Sequence, residues 1–312
     1  MKHTPFITVT GLATLLGATL VANVQAQDAG FVSRIDLKAN QIPIRTGKNA
    51  EAITQIPANF KFVTPGKLTI AVSSLSSPPL SLLADDNKTI VGSDADIARL
   101  VADSLGLELK LVPASWEDWP LGITAGKYDA AIFNIAVTKL RKEKFDFATY
   151  RIDTLGFYVK STSKITSINK PEDVAGLKVI VGSGTNQENI LLGWDRQNRA
   201  NGLTPAQPVY VTDDAAANLS IQSGRVDAFF GPHSIGAYKA ALTGKTRMVG
   251  KGPTVAYVAV TTQKGNGLAQ PISTAINGAI HNGSYAQVLD RWGEDDEKIT
   301  QSVVNPPGIG DE

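Results

Sequence analysis

The chain contains no cysteine. That removes thiol nucleophiles, disulfides and thiolate-bound metals from consideration, and it leaves nothing to mis-pair in an oxidising compartment. Histidine is nearly as scarce, with only His3, His233 and His281, too few to build a histidine zinc site. No metal and no cofactor is therefore expected. Neither sign of charge dominates, since 30 Lys and Arg against 29 Asp and Glu leave a net charge of +1. No segment interleaves basic and aromatic residues in the manner of a nucleic-acid groove, so nucleic acid is not an expected partner. Beyond the amino terminus no apolar run reaches the roughly 18 residues of a membrane span.

What is present begins with Met1-Lys2-His3 and the run ITVTGLATLLGATLVANVQA, which carries no acidic residue before Asp28. A cationic start, a short apolar middle and the small residues Val24 and Ala26 around Gln25 read as a secretory signal peptide over residues 1–26, cleaved after Ala26. No cysteine at the cleavage point can accept a lipid, so the expected address is free periplasmic protein. At 312 residues and 43% hydrophobic content, the chain can bury one large core or two medium ones.

Residues 27–64 show little periodicity and several Pro and Gly, which suggests an extended or partly ordered amino-terminal arm. LTIAV (68–72) reads as a buried strand. SDADIARLVADSLG then places Ile97, Leu100, Val101 and Leu105 on one helical face, with Ser93 or Asp94 as cap and Gly106 as stop. LELKLV alternates as a strand, LGITAGK is a short helix or turn, and YDAAIFNI is an apolar run of buried-strand type. The strand and helix alternation recurs over GLKVIVGSGTNQENILLGW, PVYVTDDAAANLSIQSG and VDAFFGP, which predicts two α/β units with mainly parallel sheets. VAYVAVTTQKG (255–265) is a strand able to return the chain to the first unit. Two helices follow, the second with Tyr285, Val288, Leu289 and Trp292 on one face.

Seven segments in this order, GKLTIAV, GSDADIARLVADSLG, WEDWPLGITAGKYDAAI, VTKLRKEKFDFATY, GLKVIVGSGT, SGRVDAFF and NGSYAQVLDRWG, resemble the periplasmic amino-acid-binding proteins of ABC importers. The resemblance covers roughly residues 66–293. It implies a two-lobed α/β fold whose lobes are joined by two crossing strands, near 151–158 and 252–260, with a small carboxylate or amino-acid-like ligand held between them. The expected division is lobe 1 over 65–152, lobe 2 over 153–257, a return to lobe 1 over 258–298 and a tail over 299–312. A monomer serving an ABC permease is implied.

The same resemblance places the ligand's carboxylate on Arg141, through Thr138-Lys139-Leu140-Arg141. A guanidinium suits that role because its planar fork donates two parallel hydrogen bonds and stays charged at all relevant pH. Lys139, Lys142 and Lys144 are expected to form a solvated face. Trp116 aligns with an aromatic wall position, while Trp119 is expected to pack in the core. Asn134 and Ala136 fall in the loop before the Arg motif, Ala136 lacking the usual hydroxyl. Thr185 and Asn186 open the helix of the second lobe, where backbone N–H groups and the helix dipole favour an anion.

Two departures bear on the ligand. Pro232 stands where the family usually has an acid for the ammonium, with His233 beside it as a ligand contact or a plain helix start. Ser73 and Ser76 stand where relatives offer an acid and an aromatic. Asp213, Asp214, Glu188 or Asn134 is left to receive an ammonium, or the ligand lacks one; the second alternative is slightly favoured. An enzyme of cyclohexadienyl dehydratase type is the competing reading, and it requires a general acid over the ligand. Glu117, Glu188 and Asp213 are the candidates, none at a defensible position.

Overall fold

A computed structural model of the chain describes residues 35–74, 77–211 and 214–311, the side chains of Asp214 and Ala215 excepted. The proposed signal peptide and Ser76 lie outside the described residues, as does Asp213.

The first lobe opens with helix α1 (Ala50–Thr54) and strand β1 (Lys67–Ser73), followed by a hairpin of β2 (Leu82–Leu83) and β3 (Ile90–Val91). Helix α2 (Ser93–Leu105) follows Gly92, whose φ of 127° lies in glycine's territory. Gly92 is therefore the cap residue, and Ser93 and Asp94 sit inside the first turn without capping it, contrary to the sequence expectation. The α2 stripe of Ile97, Leu100, Val101 and Leu105 is buried against Val288, Leu289 and Trp292 from the carboxyl-terminal helices. Burying side chains of this size contributes about 1.5–3 kcal/mol each, which fixes the far end of the chain onto the first lobe.

Strand β4 (Glu108–Ala114), helix α3 (Trp119–Thr124), strand β5 (Ala130–Ala131) and helix α4 (Lys139–Lys142) complete this unit. Both β4 and β5 run parallel to β1. YDAAIFNI yields only two paired residues, because the chain turns away after Ile132 to build the loop that reaches α4.

Strand β6 (Phe145–Lys160) then leaves for the second lobe, built from β7 (Lys178–Val181), α5 (Asn186–Ala200), β8 (Gln207–Tyr210), α6 (Asp214–Ser223), β9 (Ala228–Pro232) and α7 (His233–Thr243). Here β8 and β9 both run parallel to β7. The core stacks Phe157 on Phe230, ring centroids 4.0 Å apart, and on Trp194 at 5.5 Å. Strand β10 (Thr246–Gln263) returns to the first lobe, where α8 (Ala269–His281) and α9 (Ser284–Arg291) close it.

The two crossing strands are thus expected and observed, and they do more than link. β6 and β10 pair antiparallel along nearly their whole length and lie in the middle of one eight-stranded sheet, ordered β4-β1-β5-β10-β6-β9-β7-β8. Their ladder breaks between Lys251 and Val255, opposite Leu155, where Gly252 and Pro253 interrupt pairing. This irregularity sits where the sheet passes from one lobe to the other.

Two further expectations need correction. The segment 35–64 is not a loose arm. Ile44, Ile56, Phe60 and Phe62 pack on the first-lobe core, Ala52 is fully buried, and Arg45 pairs with Asp103 at 2.7 Å. The tail is also part of the lobe: Val304 bridges Ala148, Ile309 bridges Thr138, and Lys142 pairs with Asp311. Lys142 is therefore tied to the tail rather than belonging to a solvated face.

Candidate functional site

A cavity of about 250 Å³ lies where the carboxyl ends of β1 and β7 face each other across β6. Strand ends of this kind deliver polar loops into a crevice, the usual place for a ligand in an open parallel sheet. Across its mouth the lobes nearly touch: a Cβ on Gly184 of lobe 2 would lie 3.8 Å from the Trp116 indole nitrogen of lobe 1.

Arg141 forms one wall. Thr138 caps α4, its hydroxyl accepting the Arg141 N–H at 3.1 Å, which sets the start of the turn carrying the guanidinium. One guanidinium nitrogen, Nη1, donates to the Ala136 carbonyl at 2.9 Å. The group lies 5.3 Å from the Trp116 ring centroid and 5.9 Å from that of Trp119. Burial draws the Arg141 pKa down to about 10, and no carboxylate among the described residues offsets it. The side chain remains a cation at neutral pH, half-buried, with donors left for an anion.

Trp116 is half-buried, packs beside Trp119 and lines the cavity, whereas Trp119 is buried against Phe145. Ala136 lines the site too. The ladder bonds around it run through Val137 N to Tyr257 O and Ala259 N to Ile135 O, bypassing Ala136 itself. Asn134 also lines the cavity, in left-handed backbone at φ 53°, and its side-chain oxygen accepts from Arg151.

From the second lobe, Thr185 and Asn186 reach the cavity at the amino end of α5. The Thr185 hydroxyl is engaged locally, donating to Gly182 O at 2.7 Å and accepting from Glu188 N at 3.2 Å. The hydroxyl is therefore occupied, and what this helix start presents to the cavity is backbone and helix dipole. Pro232 and Ser73 line the cavity, but His233 does not. The His233 ring faces Tyr158, Nδ1 lying 2.7 Å from the phenol oxygen, so the ligand-contact alternative for His233 is dropped.

Sequence reading missed Ser77, Lys239, Asp94 and Asp153, all of which line the cavity. Asp94 and Asp153 belong to a buried network around Arg151, which is fully inaccessible. Arg151 pairs with Glu297, with Asp153 at 3.8 Å and with Glu294 at 3.9 Å. Tyr150 donates to Asp94 at 2.7 Å. Burial pushes Asp94 up to about 6 against the pull of Arg151 and the Tyr150 hydrogen bond. Burial, then the Glu297 charge, pushes Asp153 up to about 7, with Arg151 and Asn134 opposing.

Among the described residues no group of three or more His, Asp or Glu is arranged to hold a metal, and no helix is long and apolar enough to cross a membrane. The arrangement offers a cation and an aromatic face on one lobe, a helix amino end on the other, and two carboxyls, Asp94 in the first turn of α2 and Asp153 on the crossing strand β6.

Comparison with known proteins agrees with this architecture. Residues 68–295 match the model of the bacterial extracellular solute-binding proteins, family 3. The L-cystine-binding protein TcyJ of Escherichia coli is 29% identical over 221 residues, covering 69% of this chain and 78% of that protein. The amino-acid ABC transporter substrate-binding protein AbpA of Streptococcus pneumoniae, solved with L-arginine, superposes with a TM-score of 0.65 at 22% identity, covering 80% of this chain and 100% of that one. An ancestral amino-acid-binding protein described as a precursor of cyclohexadienyl dehydratase superposes with a TM-score of 0.64 at 25% identity, covering 73% and 95%. The match spans well over half of the chain, which therefore belongs to the bacterial extracellular solute-binding proteins of family 3.

Proposed function

We propose that the protein captures an amino acid or amino-acid-like small carboxylate between its lobes and delivers it to an ABC permease, working in the periplasm after removal of residues 1–26. The observation that carries this reading is the Arg141 guanidinium, a half-buried cation on the cavity wall with no protein carboxylate beside it among the described residues. A charge held this way is costly until an anion meets it. A ligand carboxylate supplies two acceptors for the planar fork, and the α5 amino end reinforces it from the opposite lobe. Trp116 offers a flat apolar face for the rest of the molecule.

The similar proteins that bind L-cystine or amino acids support the class of solute. They also favour binding over catalysis. Of the sequence candidates for a dehydratase's general acid, Glu117 is exposed and off the cavity, Glu188 accepts from Gly184 N and Tyr210 OH outside it, and Asp213 lies outside the described residues. Native mass spectrometry of protein freshly isolated from the periplasm tests the reading. A non-covalent adduct of a few hundred daltons that contains a carboxylate is expected; an adduct without one contradicts it.

A further inference from the structure

Among the described residues, the cavity holds two acids that the carboxylate clamp does not use, Asp94 and Asp153. Both are nearly inaccessible, at 2% and 5% exposure. Their surroundings are short of positive charge. A single guanidinium, Arg151, faces Glu294, Glu297 and Asp153 directly and acts on Asp94 as well. Arg151's hydrogen bonds go elsewhere: Nη1 donates to Glu297 and the Ile152 carbonyl, and Nη2 to Asn134. Glu297 is further satisfied by Thr154, whose hydroxyl donates at 3.1 Å. Asp94 has Tyr150.

Two acids are left over: Glu294, whose two carboxylate oxygens are buried without a hydrogen-bond partner but which does not line the cavity, and Asp153, which does. The Asp153 Oδ1 is likewise buried without a hydrogen-bond partner. A buried carboxylate oxygen lacking a donor is unfavourable unless it is protonated or meets a cation from outside.

Its position suits the second outcome. Leu155 pairs across the sheet with Pro232, the cavity-lining residue without charge or N–H. Asp153 precedes Leu155 by two residues on β6, so the two side chains leave the same face of the strand, about 7 Å apart. An acid is thus available one strand over from the acid-free end of β9.

We infer that Asp153, supported by Asp94, receives a cationic nitrogen of the bound solute while Arg141 holds its carboxylate, so that the solute is a zwitterion. The inference rests on the carboxylate reading above and replaces the leaning towards an ammonium-free ligand. Asn134 is a neighbour whose side-chain oxygen is taken by Arg151 and whose side chain also hydrogen-bonds Asp153, so a cationic nitrogen would share that carboxyl with it.

The test pairs each of the proteinogenic L-amino acids, and L-cystine, with its 2-hydroxy counterpart in a thermal-shift screen of the whole protein, followed by calorimetry on the hits. At least one amine is expected to bind at least tenfold tighter than its hydroxy partner. Asp153→Asn is expected to lower amine affinity tenfold or more and to narrow the gap to the hydroxy acid. Amine binding to the wild type should also release protons near pH 7, seen as a buffer-dependent binding enthalpy, because a carboxyl poised at about 7 ionises on meeting a cation. Hydroxy acids binding the wild type as tightly as their amines overturn the inference, a comparison that needs no variant to fold. Unchanged amine affinity in a folded Asp153→Asn, with affinity lost in Arg141→Ala, overturns the inference alone. If no member of either series stabilises the wild type, the solute-binding reading fails and this inference with it.

Discussion

The Arg141 guanidinium lies 5.3 Å from the Trp116 ring centroid, so the proposed anion clamp and the aromatic wall are in contact with each other. A cation over an indole contributes on the order of 0.5–2 kcal/mol and holds the arginine's orientation. Replacing Trp116 with Ala should therefore act twice, removing a stacking face and loosening the clamp. We expect a five- to fiftyfold weaker Kd for the solute with little change in the ligand-free Tm, read by calorimetry and thermal denaturation. Unchanged affinity would place Trp116 in a purely packing role.

The Arg151 network makes the ligand-free fold sensitive to pH. Burial raises Asp94 to about 6, Asp153 to about 7 and Glu294 to about 8, above ordinary values of 3.8, 3.8 and 4.5. Between about pH 4 and pH 8 the folded state then binds more protons than the unfolded one, so these groups add stability at the acid end that is lost as pH rises. Asp311, which Lys142 holds below its ordinary value, acts only in more acidic solution. The ligand-free Tm should fall from about pH 5 to about pH 8, and Glu294→Gln should flatten that slope. A Tm that climbs over the same range would be inconsistent with the network.

Glycine at position 250 is required by close approach rather than by φ. A Cβ there would lie 1.7 Å from the Ile168 carbonyl oxygen, a backbone atom that cannot swing away, and the adjacent Val249 accepts the Ile168 N–H at 2.9 Å. Gly250→Ala should lower the Tm by several degrees, a steric cost of about 1–3 kcal/mol. Gly193 is the control, since inside α5 an added Cβ meets only the Arg196 side chain at 3.7 Å. Gly193→Ala should be neutral or stabilising by up to about 1 kcal/mol.

The break in the β6 and β10 ladder at Gly252 and Pro253 marks where the sheet can bend between lobes. Small-angle scattering should show a smaller radius of gyration when the protein is saturated with its solute. Pro253→Thr, which returns a backbone N–H to the break and leaves Gly252 in place because a Cβ there would lie 2.7 Å from the Leu155 Cβ, should reduce that difference. Equal radii with and without solute, together with a ligand-free structure as open as the bound one, would argue against a hinge.

Local signals carried much of this into view before the fold was known. Arg141 came into view through the resemblance carried by Thr138-Lys139-Leu140-Arg141, whereas the capping of its turn by Thr138 emerged with the fold. The 3.6-residue stripe of α2 and the face of α9 were legible from their spacing. The Asp153 site was not, because it forms only when β6 meets residues far along the chain: Glu297 lies 146 positions from Arg151. His233 looked like a site residue for want of seeing Tyr158, 75 positions earlier. The segment 35–64 was misread because it packs by isolated contacts, such as Phe60 on Phe62 at 4.8 Å, rather than by a periodic face.

The most direct test of the central claim is isothermal calorimetry of the wild type and Arg141→Ala with the solute recovered from the native protein. A charge-assisted pair of this kind contributes about 1.5–3 kcal/mol, so the variant should bind ten- to a hundredfold more weakly while its ligand-free Tm stays near that of the wild type. Equal affinity in the two proteins would contradict the assignment of Arg141 as the group that holds the solute.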